Sequence, residues 1–229
     1  MSKGRNILKS IGIILLFLTF SSLFFMIFNI DKENITDSRY LYYLFISNLM
    51  LMGIFIYIYR KDLIKDLSYF KKNFEYNFFN SFKYWLIGFV IMFISNLIIT
   101  FILKLNIAGN EMEVRNFINV NPLLMILMAS IISPVNEELV FRKSIKEACN
   151  NKWIYVITSG FIFGLLHVIS YISTPVNLVY LIPYTSLGIV FALLYYKTNN
   201  IYSTISMHAM HNTLAIIIYL LGVSLWKSL

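Results

Sequence analysis

Charge is distributed unevenly along the chain. Uncharged, mostly apolar runs cover residues 10–30, 40–59, 84–103, 116–136, 153–196 and 198–226. A hydrocarbon core about 30 Å thick takes about 20 apolar residues per helix. Five of the runs suit one span each, and the 44-residue run 153–196 suits two. That run divides at Ser170–Asn177, where Pro175 and its polar neighbours favour a turn. The pattern predicts an all-α polytopic transmembrane helix bundle of about seven spans, with eight as the upper bound. The longest hydrophilic stretch, 60–83, is itself periodic. Leu63, Leu67, Phe70, Phe74 and Phe78 recur every three or four residues, with Lys65, Asp66, Lys71, Lys72 and Glu75 between them. This spacing predicts one interfacial amphipathic helix lying along the membrane surface.

Composition agrees with the pattern. Hydrophobic residues make up 59% and charged residues 13%, with a mean hydropathy of +0.71. A soluble domain carries about a quarter charged residues, so an ordinary cytosolic enzyme is excluded. No linker, repeat or low-complexity segment interrupts a single membrane domain over 1–229. The first run is too long for a secretory signal and has no small-x-small cleavage site after it, so it reads as a retained span. The formal charge of +8 is better explained by the positive-inside rule than by nucleic acid, and no nucleic-acid partner is expected. With the N-terminus cytoplasmic, 14 of the 19 Lys and Arg fall on inner segments. The expected location is the cell membrane, multi-pass, with the bilayer as a partner. Trp85, Trp153 and Trp226 fall near predicted span ends, as an aromatic belt would have them. Cys149 is the one cysteine and makes no internal disulfide.

The titratable residues narrow the chemistry. Most of the 11 acidic residues lie in loops or surface helices, but Glu137 and Glu138 abut the fourth run, and His167, His208 and His211 all fall inside apolar runs. Ionisable groups at membrane depth are costly and rare, which makes them functional candidates. On a helix, Glu138 and Arg142 stand at i,i+4 and can pair. Glu137 is rotated by about 100° and left without that partner, which suits a general base. Pro134 suggests a fresh helix start whose dipole would lie near both carboxylates. His208 and Asn212 share a face, with His211 offset, and together offer two hydrogen bonds to an oxyanion. Each feature also has a plainer reading: Glu137 and Glu138 as the inner end of span four, His167 as a packing residue, and His208 with Asn212 as interhelical glue. Gly160 and Gly164 form a small-xxx-small pair suited to close helix packing. At about 1.5 Å per residue, Glu137 and His167 lie about 20 and 24 Å from the turn at Asn150–Asn151. His208 lies only about 12 Å from Asn200.

Three motifs now stand in order on successive apolar helices: Glu137, Glu138 and Arg142; Phe163 and His167; His208 and Asn212. Together they resemble the motifs of the CPBP family, which contains the type II CAAX prenyl endopeptidases and bacterial bacteriocin-processing (ABI) proteins. The resemblance covers the motif-bearing core, about 122–226. It implies a glutamate-dependent intramembrane endopeptidase, a metalloprotease by the family's usual description. Glu137 and His167 would polarise a water, His208 and Asn212 would stabilise the oxyanion, and Glu138, Arg142 and Phe163 would support the site. A zinc site, if one exists, would use His167 and His208 with Glu137, an acceptable open-site set; the cofactor is otherwise unknown. The substrate expected is a peptide or membrane protein. Two other classes remain open: a non-catalytic bacteriocin-immunity or regulatory protein of the same fold, and a small transporter using the same polar groups as a proton relay.

Overall fold

In a computed structural model, residues 3–31 and 35–227 are described, with side chains for 4–31 and 35–223. The described residues form helices and no strand. In order these are α1 (Lys3–Ile27), α2 (Asp37–Lys72), α3 (Phe74–Ile102), a short α4 (Gly109–Val120), α5 (Pro122–Ala148), α6 (Lys152–Val168), α7 (Leu181–Thr198) and α8 (Ile201–Lys227). All but α4 are, with their short flanking turns, long and apolar enough to cross a membrane, seven in all. The chain is thus a multi-pass helix bundle, and the long run divides where Pro175 and its neighbours were expected to turn, through 3-10 turns at Ile169–Tyr171 and Pro175–Tyr180.

The apolar windows of α5 and α7 are half buried, against about a fifth for α1, α2, α3 and α8, so α5 and α7 form the centre. Glycine explains how closely α7 approaches α6. A Cβ on Gly160 would lie 2.7 Å from the Ile189 backbone nitrogen, and one on Gly164 would lie 2.8 Å from that of Thr185. Only the bare glycine backbone permits this approach, as the small-xxx-small spacing predicted. Around α5, Phe141 packs edge-on against Phe17 of α1 at 5.3 Å and Phe163 of α6 at 5.8 Å.

Three expectations are corrected. The stretch 60–83 is not a separate surface helix: α2 runs unbroken to Lys72, and α3 starts one residue after Asn73. At about 1.5 Å per residue, the 36 residues of α2 extend about 54 Å, well beyond a hydrocarbon core. Leu63 and Phe70 of its stripe are buried against protein, Leu67 and Phe78 are half-buried, and Phe74 is exposed. The extension also caps α8: the Ile201 amide donates to the Asp66 carboxylate at 3.2 Å, and the Asn200 side chain donates to the Asp66 carbonyl at 2.7 Å. Trp85 is not an interfacial anchor; it is buried in mid-helix against Phe89 and His211. Trp153 is exposed at the start of α6, as a belt residue would be, and the side chain of Trp226 lies outside the described residues. Lastly, Pro134 does not begin a new helix. Ile132 and Ser133 keep right-handed helical angles where a π-helical turn at Met128–Ile132 ends, so no helix dipole begins at the glutamates.

Candidate active site

The fourth apolar run ends at residue 136, yet α5 continues to Ala148. Glu137 and Glu138 therefore lie inside the span rather than at its inner end. A second π-helical stretch, Glu138–Ser144, begins at the pair. Such widened turns recur at functional sites because they re-aim side chains within an otherwise continuous helix.

Glu138 and Arg142 are both fully buried, with the guanidinium Nε 3.2 Å from Glu138 Oε2. Arg142 Nη1 donates to Ser159 Oγ at 3.2 Å, and its guanidinium lies 4.6 Å from the centroid of the Phe163 ring. Ser159 in turn donates to the Phe141 carbonyl at 2.7 Å. The pairing expected from the i,i+4 spacing is present, and it ties α5 to α6. The other Glu138 oxygen, Oε1, accepts from His208 Nδ1 at 2.9 Å and ties α5 to α8.

Glu137 points elsewhere. Its Oε2 lies 3.9 Å from His167 Nε2 and 3.8 Å from His208 Nε2, and has no hydrogen-bond partner among the described residues. His167 Nδ1 is 2.8 Å from the Phe163 carbonyl, which can only accept, so the ring proton of neutral His167 sits on Nδ1. Glu138 fixes the proton of neutral His208 on Nδ1 in the same way. Three atoms with free lone pairs, Glu137 Oε2 and the two Nε2 nitrogens, thus face a common space. His167 is further fixed by stacking on Tyr184 at 5.0 Å and lying 4.3 Å from the Phe163 ring; His208 lies 5.2 Å from Phe191.

The depth mismatch predicted for His208 disappears for a simple reason. Lys146 Nζ donates to Asn199 Oδ1 at 2.8 Å and to the Tyr195 carbonyl at 3.2 Å. The turn before α8 therefore sits level with residue 146, not 150. From that level Glu137 and His208 are each nine residues along their helices.

Asn212 sits one turn beyond His208 and donates to the Ala129 carbonyl at 2.8 Å. In the π-helical register Ser133 N–H bonds to Met128 O, so the next donor in line for Ala129 O would be residue 134, a proline without an N–H. Asn212 fills that gap. His211 is offset from the cluster, as expected; Trp85 Nε1 donates to its Nδ1 at 3.4 Å.

Among the described residues, no group of three or more His, Cys, Asp or Glu is placed to hold a metal ion. Zinc bonds of about 2.0–2.1 Å would draw tetrahedral ligands to about 3.4 Å from one another. The spacings of 3.8 and 3.9 Å are wider, so the conditional zinc set of Glu137, His167 and His208 does not fit this arrangement. Hydropathy gave no sign of Tyr184, Ser159 or the two π turns of α5.

A family model described as type II CAAX prenyl endopeptidase Rce1-like matches residues 119–214. A protein of Bacillus subtilis (strain 168) named "Putative membrane peptidase YdiL" is 35% identical over 113 residues, 49% of this chain and 44% of that relative. The match thus spans less than half of the relative's length. No solved structure matches the chain. The family match covers the part of the chain in which the three motifs converge, and over that stretch the chain is similar to the type II CAAX prenyl endopeptidase Rce1-like family.

Proposed function

We propose that the protein is a glutamate-dependent intramembrane endopeptidase that cleaves a peptide or membrane-protein substrate. The observation that carries this reading is the convergence of Glu137 Oε2, His167 Nε2 and His208 Nε2, each with its lone pair turned inward. A water among these atoms donates its two hydrogens to two of the three acceptors. Its own lone pair is then directed outward, toward a substrate carbonyl.

On attack, the water oxygen bonds to the carbonyl carbon and one water proton passes to Glu137. The carbonyl becomes an oxyanion. The second hydrogen of the Asn212 amide donates to it, while His208 Nε2, its ring proton held on Nδ1 by Glu138, accepts from the hydrogen that stays on the attacking oxygen. When the C–N bond breaks, Glu137 returns its proton to the departing amine, leaving a carboxylic acid and an amine. Glu138, Arg142, Ser159 and Phe163 position the two histidines and do not touch the reacting atoms. The setting proposed is the cell membrane with a cytoplasmic N-terminus, as the distribution of Lys and Arg favours.

The test compares the membrane peptidomes of cells expressing wild type or Glu137→Gln at matched abundance. Fragments found only with wild type support the proposal and identify the bond. Identical peptidomes, with the variant still supporting any phenotype that deletion removes, would refute it in favour of the non-catalytic partner.

A further inference from the structure

His167 donates from Nδ1 to the Phe163 carbonyl of its own helix at 2.8 Å. That bond holds one corner of the imidazole. The torsion that turns a histidine ring over is broad and roughly two-fold, so the facing of Nε2 is settled by what packs against the ring. One neighbour is Phe163, whose ring centroid is 4.3 Å away on the same helix. The other is Tyr184 of α7, stacked at 5.0 Å with 26° between the planes. Tyr184 is itself held, packed against a cluster of Ile99 of α3, Val168 of α6 and Tyr180. The next residue, Thr185, is where the α7 backbone meets Gly164, three residues before His167 on α6. A close approach of the two helices therefore adjoins the stack.

From this arrangement we infer that Tyr184 is a positioning residue for the proposed reaction: its aromatic ring, not its hydroxyl, holds the His167 imidazole in the orientation that turns Nε2 toward Glu137. The inference rests on the endopeptidase reading. Three features carry it. Nε2 faces Glu137 Oε2, 3.9 Å away, while Nδ1 keeps the Phe163 carbonyl; turning the ring over would put a C–H at both places. An imidazole must sweep through the space of a stacked ring to turn over. Phe163 shares α6 with His167 and moves with it, so the fixed obstacle is the ring that α7 supplies. Lastly, the two histidines differ in support. His208 is held at Nδ1 by the Glu138 carboxylate, a charge-assisted bond about twice as strong as one to a neutral carbonyl. His167 has only the carbonyl, and the stack makes up the difference.

The test pairs NMR with kinetics on the purified full chain. Isotope-labelled histidine reports which ring nitrogen carries the proton, each histidine being assigned by its own substitution. In parallel, kcat and KM are measured on a peptide that wild type cleaves, with Glu137→Gln as the blank. Wild type should hold the His167 proton on Nδ1. In Tyr184→Leu the proton should spread over both nitrogens of His167 while His208 keeps its own on Nδ1. There kcat should fall by about 10²-fold, the cost of a displacement of about 1 Å, with KM close to wild type, the mark of an interaction that serves the transition state rather than binding. Tyr184→Phe keeps the ring and should keep the wild-type signal and kcat. Tyr184→Met, unbranched and adaptable, gives the same reading where Tyr184→Leu fails to fold. An unchanged His167 signal without the ring, equal changes at His167 and His208, or a loss in Tyr184→Phe equal to that in Tyr184→Leu would overturn the positioning role and leave the endopeptidase reading intact. Cleavage by Glu137→Gln at the wild-type rate would overturn that reading, and the role of Tyr184 with it.

Discussion

Glu137 and Glu138 are neighbours in sequence but face two differently built regions. Behind Glu138 lies a closed layer: an ion pair with Arg142, the serine bridge to α6 and the imidazole of His208, all buried. In front of Glu137 lies a space bounded by acceptor atoms, with no donor supplied to its Oε2 by the described residues. One region sets opposite charges against each other, Glu138 with Arg142 and His208, although Arg142 Nη2 has no hydrogen-bond partner among the described residues; the other leaves its acceptors to be completed by water and substrate. A rotation of about 100° per residue is enough to divide the two tasks between adjacent carboxylates.

The largest effect should come from breaking the closed layer. Glu138→Ala leaves the Arg142 guanidinium buried without its counter-charge, which costs about 3–5 kcal/mol. A thermal midpoint lower by about 10 °C, together with lost activity, is the expected result in detergent-solubilised protein. His167→Ala acts on the open region alone. Cleavage should fall by about 10²–10⁴-fold, the usual contribution of a positioned acid–base group, with the midpoint close to wild type. Next in size is Gly164→Ala, whose new Cβ meets the Thr185 backbone. Overpacking of this kind costs about 1–3 kcal/mol, and moving α6 should lower activity by shifting His167. The smallest effect sharpens the role of Asn212. Asn212→Ala strands the Ala129 carbonyl at a cost of about 1–3 kcal/mol, but in a Pro134→Ala background residue 134 regains an N–H for that carbonyl. A double-mutant cycle on the thermal midpoint should therefore show coupling between Asn212 and Pro134.

Much of the closed layer was legible in the sequence. The i,i+4 spacing of Glu138 and Arg142 and the Gly160–Gly164 pair follow from ordinary helix geometry, and the charge gaps divide the chain into its seven spans. The open region was legible only as a set of residues. His208 looked too shallow because depth was counted along each helix from its own turn, whereas Lys146 holds the α7–α8 turn one helical turn deeper than the Asn150–Asn151 turn. The π-helical turns of α5 leave no mark on hydropathy, since they change hydrogen-bond register and not residue type. Trp85 and the stripe at 60–83 misled for a related reason: burial against protein and burial in lipid select the same apolar side chains.

The division of labour is tested most directly by making Glu137→Gln and Glu138→Gln in parallel and measuring thermal midpoint and peptide cleavage on each. Glu137→Gln should unfold at the wild-type temperature and cleave nothing above background, while Glu138→Gln should lose midpoint and cleavage together. A Glu137→Gln protein that still cleaves at the wild-type rate, or that is destabilised as much as Glu138→Gln, would contradict it.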